Sequence, residues 1–362
     1  MTSTLALESR PVSWSTLVGQ DIPRKVLSNS IISNDIKPGY LFKGASGCGK
    51  TSAALLFAKR LNCLQPDGAD PCNACTSCAS IDKNLSHDVK YVDGAADRSV
   101  MFVRDVLRPF LTTTPIGGKH RIAIIDEAHL YKQDSISAFL TLLEQLPKMA
   151  PKSLVILCTT EGDQIPVAIQ NRCLSLNFAP ISTETLVDAM HKFTGEDKAA
   201  LKELAAASCG SFRTMWSFME VWEHTGEPLT EDLVMRMLGG ITKSERNNLW
   251  RLLKNRRLDQ ILSLWQAWMK RGVNPTVLGA YMLKDLIHMA AAAPEAANWS
   301  TAIGALSAVQ VSGTESAWLP ALYTLCGLPL DCENAQRVAP EERQPVSQST
   351  DKLLTRLAFF GA

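Results

Sequence analysis

Gly44-Ala45-Ser46-Gly47-Cys48-Gly49-Lys50-Thr51 matches the pattern G-x-x-x-x-G-K-[ST], and its neighbours decide how it reads. Before it, Gly39-Tyr40-Leu41-Phe42 is a short apolar run with strand character. After it, Ser52 to Lys59 opens a helix. Strand, glycine-rich loop and helix in that order are what a phosphate loop requires. The glycines let backbone N–H groups close around phosphate oxygens, and the positive end of the helix faces the same point. The run from Gly44 through Ala45, Ser46, Gly47, Cys48 and Gly49 to Ser52 is therefore expected to cradle a nucleoside triphosphate. Lys50 would reach the β- and γ-phosphates, and Thr51 would hold Mg²⁺ through its hydroxyl.

A second stretch answers the first. Arg121-Ile-Ala-Ile-Ile-Asp126-Glu127-Ala-His129 is a buried-strand run that ends in two acids. Asp126, at the carboxyl end of the strand, suits a Mg²⁺ ligand, and Glu127 suits the group that polarises an attacking water. Thr159 and Thr160 close the later apolar strand Ser153 to Thr159, within reach of a γ-phosphate. Binding and hydrolysis of a nucleoside triphosphate is the expectation.

Composition bounds the rest. A chain of 362 residues has room for two or three domains, and 46% hydrophobic with 20% charged residues indicates ordinary globular cores. A net charge of +1 leaves no overall basic field, so any nucleic-acid contact must come from a local patch. No apolar run approaches the ~20 residues of a membrane span, and the N-terminus lacks a signal-peptide pattern. The expectation is a soluble, intracellular protein that does not engage a membrane.

Of ten cysteines, Cys63, Cys72, Cys75 and Cys78 stand in C-x8-C-x2-C-x2-C spacing with Pro, Gly, Asn and Asp between them. Such turns bring four thiolates onto one tetrahedral Zn²⁺, and a filled set of four makes the site structural. Reduced cysteines in a loop are the other reading. The remaining cysteines are scattered and read as small buried hydrophobes.

Taken in order, the pattern predicts a helix over 22–33, a strand over 87–93, and a helix over 99–107 broken by Pro109. A helix over 134–145 follows, then strands over 153–159 and 174–178. Alternation of β and α with continuous apolar strands calls for a parallel sheet covered by helices on both faces. From Pro180 onward helical periodicity takes over, with helices over 183–192, 198–207 and 212–224. Residues 241–328 are helical throughout, with Trp250, Trp265 and Trp268 in apolar stripes that read as core or interface. A polar connection at 329–350 leads to a last helix over 351–360. Taken alone, Arg172 reads as a surface residue; Arg213, in the first turn of its helix, opposes the helix dipole and so points to a task elsewhere.

These residues together resemble the AAA+ motor subunit of the bacterial replicative clamp loader, the gamma/tau family of DNA polymerase III, from Arg10 to about Gly240 and more loosely beyond. The match lies in Arg10-Pro11, Trp14 and Val18-Gly19-Gln20 (similar to the family's adenine-side motif), the cysteine module, Asp126-Glu-Ala-His129, Asn171-Arg172-Cys173 and Gly210-Ser-Phe-Arg213. The resemblance implies an AAA+ P-loop core at 1–180 with a zinc module at 62–79, a helical lid at 181–240 and a helical oligomerising collar at 241–362. It makes Thr159 a first sensor, Arg213 a second sensor and Arg172 an arginine finger acting on a neighbouring subunit. Arg98 and Arg104 fall in the segment that faces DNA phosphates in the family, or else form an ordinary charged helix face. ATP, Mg²⁺ and structural Zn²⁺ are the implied cofactors. The implied partners are copies of itself, delta- and delta-prime-like subunits, a ring-shaped sliding clamp and primer–template DNA. A cytoplasmic, nucleoid-associated place in a bacterial or phage-infected cell follows.

Asn171 stands where the family has serine, and Val100 where a lysine would help hold DNA. The chain ends where the collar would end, as expected of a minimal loader. Three other readings stand beside this one. A hexameric AAA+ motor for branch migration or helicase loading leaves the cysteine module and collar unexplained. A non-hydrolysing loader subunit has no use for Lys50, Thr51 and Glu127 together. A free zinc–nucleic-acid module fits poorly inside a nucleotide-binding domain.

Overall fold

Five strands carry the first half of the chain: β1 (Gly39–Gly44), β2 (Val89–Asp93), β3 (Arg121–Asp126), β4 (Ser153–Thr159) and β5 (Leu174–Phe178). In this computed structural model they pair in parallel in the order β2-β3-β4-β1-β5. The structure describes residues 10–95, 98–292, 299–312, 318, 321–322 and 324–325. The expected connection at 329–350, the helix at 351–360, Cys326, Cys332 and the first residues of the chain lie outside these.

The strands read as unbroken apolar runs because both faces of the sheet are covered. Successive side chains point to opposite faces, so neighbours in one strand enter different cores. Tyr40, Phe42, Ile122, Ile124 and Ile156 join one core. Leu41, Ala123, Ile125, Val155 and Leu157 join the other. The first core is closed by Leu27 and Ile31 of α1 (Asp21–Ile32) and by Ala53 and Phe57 of α2 (Lys50–Asn62). After α2 comes the cysteine loop and a short helix, α3 (Thr76–Asp82).

The second core is closed by Val103, Leu107 and Leu111 and by α5, introduced below. Here the structure corrects the sequence reading, because Pro109 does not break the helix. The backbone widens into a π turn over Phe102–Leu107 and continues as α4 (Arg108–Thr112), with Pro109 in its first turn. A proline is tolerated there because first-turn N–H groups have no partner within the helix. Likewise α5 (Gln133–Met149) runs past its expected end and contains Pro147. After the short α6 (Val167–Gln170), three helices follow β5: α7 (Thr183–Thr194), α8 (Lys198–Ala207) and α9 (Phe212–Thr225). Ser182 and Ser211 cap α7 and α9, each accepting the N–H three residues on.

In parallel register Asp93 lies beside Asp126, and Lys43 beside Thr159. The carboxyl ends of β1, β2, β3 and β4 thus share one edge, where open α/β sheets bind ligands.

The chain divides into two compact units, Met1–Gly226 and Glu227–Ala362. In the second, α10 (Glu231–Met237), α11 (Lys243–Lys254), α12 (Leu258–Lys270), α13 (Pro275–Ala292) and α14 (Trp299–Ser312) are all helical. Trp250 and Trp268 are buried in its core. Their indole N–H groups donate to Asp285 Oδ2 at 2.9 Å and Glu245 Oε1 at 3.3 Å. No helix among the described residues is long and apolar enough to cross a membrane.

Candidate nucleotide site and cysteine centre

The loop between β1 and α2 folds as it does because two positions demand glycine. Gly47 and Gly49 have φ of 75° and 102°, in the left-handed region. A Cβ on Gly47 would also overlap the Ser211 hydroxyl at the start of α9. The Phe212 N–H donates to Gly47 O at 3.1 Å, so α9 is docked on the loop. Lys50 is 6% exposed, and its Nζ donates to Gly44 O and Ala45 O at 2.8 Å each. A cation is thereby stored inside the loop.

The acids of β3 meet this loop. Thr51 Oγ1 donates to Asp126 Oδ2 at 2.7 Å, and Tyr91 OH donates to the same oxygen at 2.9 Å. Burial, and then the Asp126 charge, push the Tyr91 hydroxyl well above its ordinary pKa, so it stays a donor. Glu127 takes φ 49° and ψ 47°, a left-handed backbone that is costly for a residue with a side chain. Its carboxylate Oε2 accepts from Thr160 Oγ1 at 3.1 Å and lies 3.4 Å from His129 Nδ1. His129 Nε2 is 3.3 Å from Glu161 Oε1.

Lys50, Thr51, Asp126 and Glu127 line one cavity of about 460 Å³ with Ser46 to Gly49, Ser52, Asp93 and Arg213. Arg213 Nη1 is 3.4 Å from Ser46 Oγ. The wall continues through Leu17 and Val18 of the N-terminal arm and the rings of Phe193, Phe212 and Trp216. Gly19 packs against Ile181, and Gln20 Nε2 donates to Cys48 O at 3.0 Å and Ala179 O at 2.8 Å.

Not every expected residue faces this cavity. Thr159 is fully buried; its hydroxyl is 3.1 Å from His129 Nδ1 and accepts the Glu161 N–H at 3.0 Å. Arg172 lies on the surface in an ion pair with Glu144, and also donates to Ala168 O at 2.9 Å. Arg98 donates to Ala95 O at 3.2 Å, and Arg104 is exposed on the π turn.

Tyr91, Asp93, Glu161 and the aromatic wall were not expected. Tyr91 and Asp93 had a signal, since the two-residue strand period puts them on one side at the end of β2. The rings of α7 and α9 had none, because only the fold brings those helices to the loop.

Cys63, Cys72, Cys75 and Cys78 converge, with all four Sγ atoms within 4.8 Å of one another. A tetrahedral Zn²⁺ with bonds of about 2.3 Å sets sulfurs about 3.8 Å apart, so the set fits such an ion after slight contraction. Backbone N–H groups of Cys72, Cys75 and Cys78 point at the sulfurs of Cys63, Cys72 and Cys75 at 3.2, 3.4 and 3.5 Å. The Ala74 and Cys75 N–H groups hold the Cys72 thiol below its ordinary pKa, while burial pushes the Cys78 thiol above it. The Thr51 hydroxyl and Asp126 carboxylate are hard oxygen donors side by side, which suits Mg²⁺.

Residues 19–182 match the family described as DNA polymerase III, delta subunit. The chain is 29% identical to DNA polymerase III subunit tau of Bacillus subtilis over 284 residues, 77% of this chain and 49% of that one. It is 33% identical to subunit gamma/tau of Mycoplasma genitalium (58% of this chain, 36% of that one). The figures for subunit tau/gamma of Haemophilus influenzae are 33%, 65% and 34%. The chain thus spans half or less of the length of these relatives. A solved structure of the Thermotoga maritima RuvB branch-migration motor aligns at 16% identity and TM-score 0.46, covering 68% of this chain and 80% of that one. That likeness is too loose to carry an argument. Over about three-quarters of its length the chain is thus similar to DNA polymerase III gamma/tau subunits.

Proposed function

We propose that this chain is the ATP-driven motor subunit of a sliding-clamp loader. The observation that carries the ATPase part is the meeting of Lys50, Thr51, Asp126 and Glu127 in one cavity, from elements far apart in sequence. Backbone N–H groups of residues 44–52 cradle the phosphates. The Lys50 ammonium exchanges its loop carbonyls for phosphate oxygens, a charge-assisted gain that a neutral side chain cannot offer. Mg²⁺ bound with the nucleotide would be held by Thr51 and Asp126, and would neutralise phosphate charge. Glu127, held by Thr160, orients the attacking water and draws its proton as the water oxygen bonds to the γ-phosphorus and ADP leaves. Thr159 acts through His129 and Glu161 rather than by touching phosphate. Arg213 reports phosphate occupancy to α9, the helix docked on the loop.

Arg172 lies outside its own cavity, which fits an arginine finger used by a neighbouring subunit once Glu144 releases it. Zn²⁺ held by Cys63, Cys72, Cys75 and Cys78 would fix the loop between α2 and α3. Residues 181–240 act as lid and 241–362 as collar. The assembly contains copies of this chain with delta- and delta-prime-like subunits, opens a ring clamp and accepts primer–template DNA in the cytoplasm. Arg98 and Arg104 contact DNA phosphates, which reads position rather than sequence; Val100 adds nothing to that grip.

Native mass spectrometry on the protein isolated from its own cells tests this reading. A ring of several copies with a different subunit, one zinc per copy and a clamp trapped by non-hydrolysable ATP is the expected result. A closed homohexamer without a clamp would instead identify a branch-migration or helicase-loading motor.

A further inference from the structure

The cysteine loop grips the arm that walls the cavity. Within the loop, Asp67 and Asp70 exchange backbone hydrogen bonds, Asp67 N–H to Asp70 O at 3.0 Å and the reverse at 2.8 Å. Arg60 of α2 donates to Gly68 O from Nε at 2.9 Å and from Nη2 at 2.6 Å, tying the turn to the phosphate-loop helix. From this turn, Asp70 Oδ1 accepts the Trp14 backbone N–H at 2.7 Å, and Ala69 O accepts the Trp14 indole N–H at 2.8 Å. Asn73 Nδ2 donates to Val12 O at 2.9 Å. Trp14 is 4% exposed, so its ring and both its N–H groups are committed to this seat.

On the far side of Trp14 the arm supplies Thr16, Leu17 and Val18 to the cavity. It is then tied to the phosphate loop by Gln20. The arm is therefore pinned at two points, and only the second belongs to the phosphate cradle. The first point touches neither Lys50 nor Thr51; between the two, Leu17 packs against Gly49.

We infer that Asp70 is a positioning residue for the base end of the nucleotide site. Through Trp14, the folded cysteine loop sets affinity for the nucleoside part of the ligand and not for its phosphates. This rests on reading the cavity as a nucleotide site. It gives the cysteine module a task at the ATP site beyond holding its own loop together.

The test compares two ligands, ATP and inorganic tripolyphosphate, titrated by calorimetry with Mg²⁺ into the full chain. Asp70→Ala, which frees the arm at Trp14, is expected to weaken ATP about tenfold while tripolyphosphate binds as before. Asp70→Asn, which keeps an acceptor oxygen, restores ATP affinity. Trp14→Phe, which deletes the bond to Ala69 together with part of the buried ring, gives a loss with the same selectivity. Unchanged ATP affinity in Asp70→Ala, or parallel loss of both ligands, overturns the inference. Unmodified protein that binds neither ligand would instead remove the nucleotide reading itself.

Discussion

The Thr51 hydroxyl donates a 2.7 Å hydrogen bond to Asp126 Oδ2, joining the phosphate loop to the end of β3 across the sheet edge. Tyr91 donates to the same oxygen, so the carboxylate is oriented by two hydroxyls. Two oxygen donors held side by side before any ion arrives have little ordering left to do on binding. This pairing also leaves Glu127, the next residue, to face the cavity on a strained backbone.

Glu127→Gln is expected to keep nucleotide affinity within about threefold and to lower turnover by a factor of about 10² to 10⁴, the usual range for general-base assistance. The amide keeps the side-chain shape and its Thr160 partner but cannot take a proton. Equilibrium titration and single-turnover hydrolysis separate the two effects.

Arg172→Ala is expected to bind ATP normally as an isolated chain and to lose about 10³-fold in hydrolysis within the assembly, the scale of an arginine finger supplied in trans. Mixing experiments check the direction. Glu127→Gln copies supplied with intact Arg172 neighbours stay inactive, and Arg172→Ala copies lower the turnover of intact neighbours.

Removal of zinc is expected to destabilise the first unit. A ligand held at about a hundred times its dissociation constant contributes about 2.7 kcal/mol, so chelation should lower Tm by roughly 5 to 10 °C. Cys63→Ser combined with Cys78→Ser should reproduce the shift and bind less than one zinc per chain. Thermal unfolding with and without chelator, beside metal analysis, measures it.

Asp88 supplies a pH dependence. Burial raises its pKa, but the N–H groups of Ile116, Gly117 and Gly118, with the Arg121 guanidinium, hold it below the ordinary carboxylate value. The three N–H bonds measure 2.8, 2.7 and 2.5 Å, and Arg121 lies at 3.3 Å. A depressed folded pKa means the unfolded chain binds the proton first. The stabilisation is therefore complete above about pH 4 to 5 and is lost as pH falls through the ordinary carboxylate range and below. Asp88→Ala, which leaves a buried guanidinium without its partner, should cost about 3 kcal/mol at neutral pH and flatten this acid limb. Urea unfolding at several pH values reads both.

Much of this site was legible in the sequence because its signals are local. The phosphate loop, the acids of β3 and the cysteine spacing each occupy one short stretch whose chemistry depends on spacing alone. Strand positions followed from unbroken apolar runs, and helical periodicity after Pro180 marked α7 and α9. What escaped depends on distant segments meeting. Trp14 finds Asp70, Arg172 finds Glu144, and Phe193 meets Trp216 edge-on with ring centroids 5.9 Å apart only after the chain has folded. Pro109 misled because a π turn shifts the hydrogen-bond register and turns an interior proline into a first-turn one. For Thr159 the place at the end of β4 was legible but the contact of its hydroxyl with His129 was not.

The most direct measurement of the central claim is steady-state ATP turnover by the chain assembled with its companion subunits, with and without a ring clamp and primer–template DNA. The account predicts a rate that rises when clamp and DNA are both present and that disappears with Lys50→Ala. Turnover indifferent to clamp and DNA, or unaffected by Lys50→Ala, would contradict it.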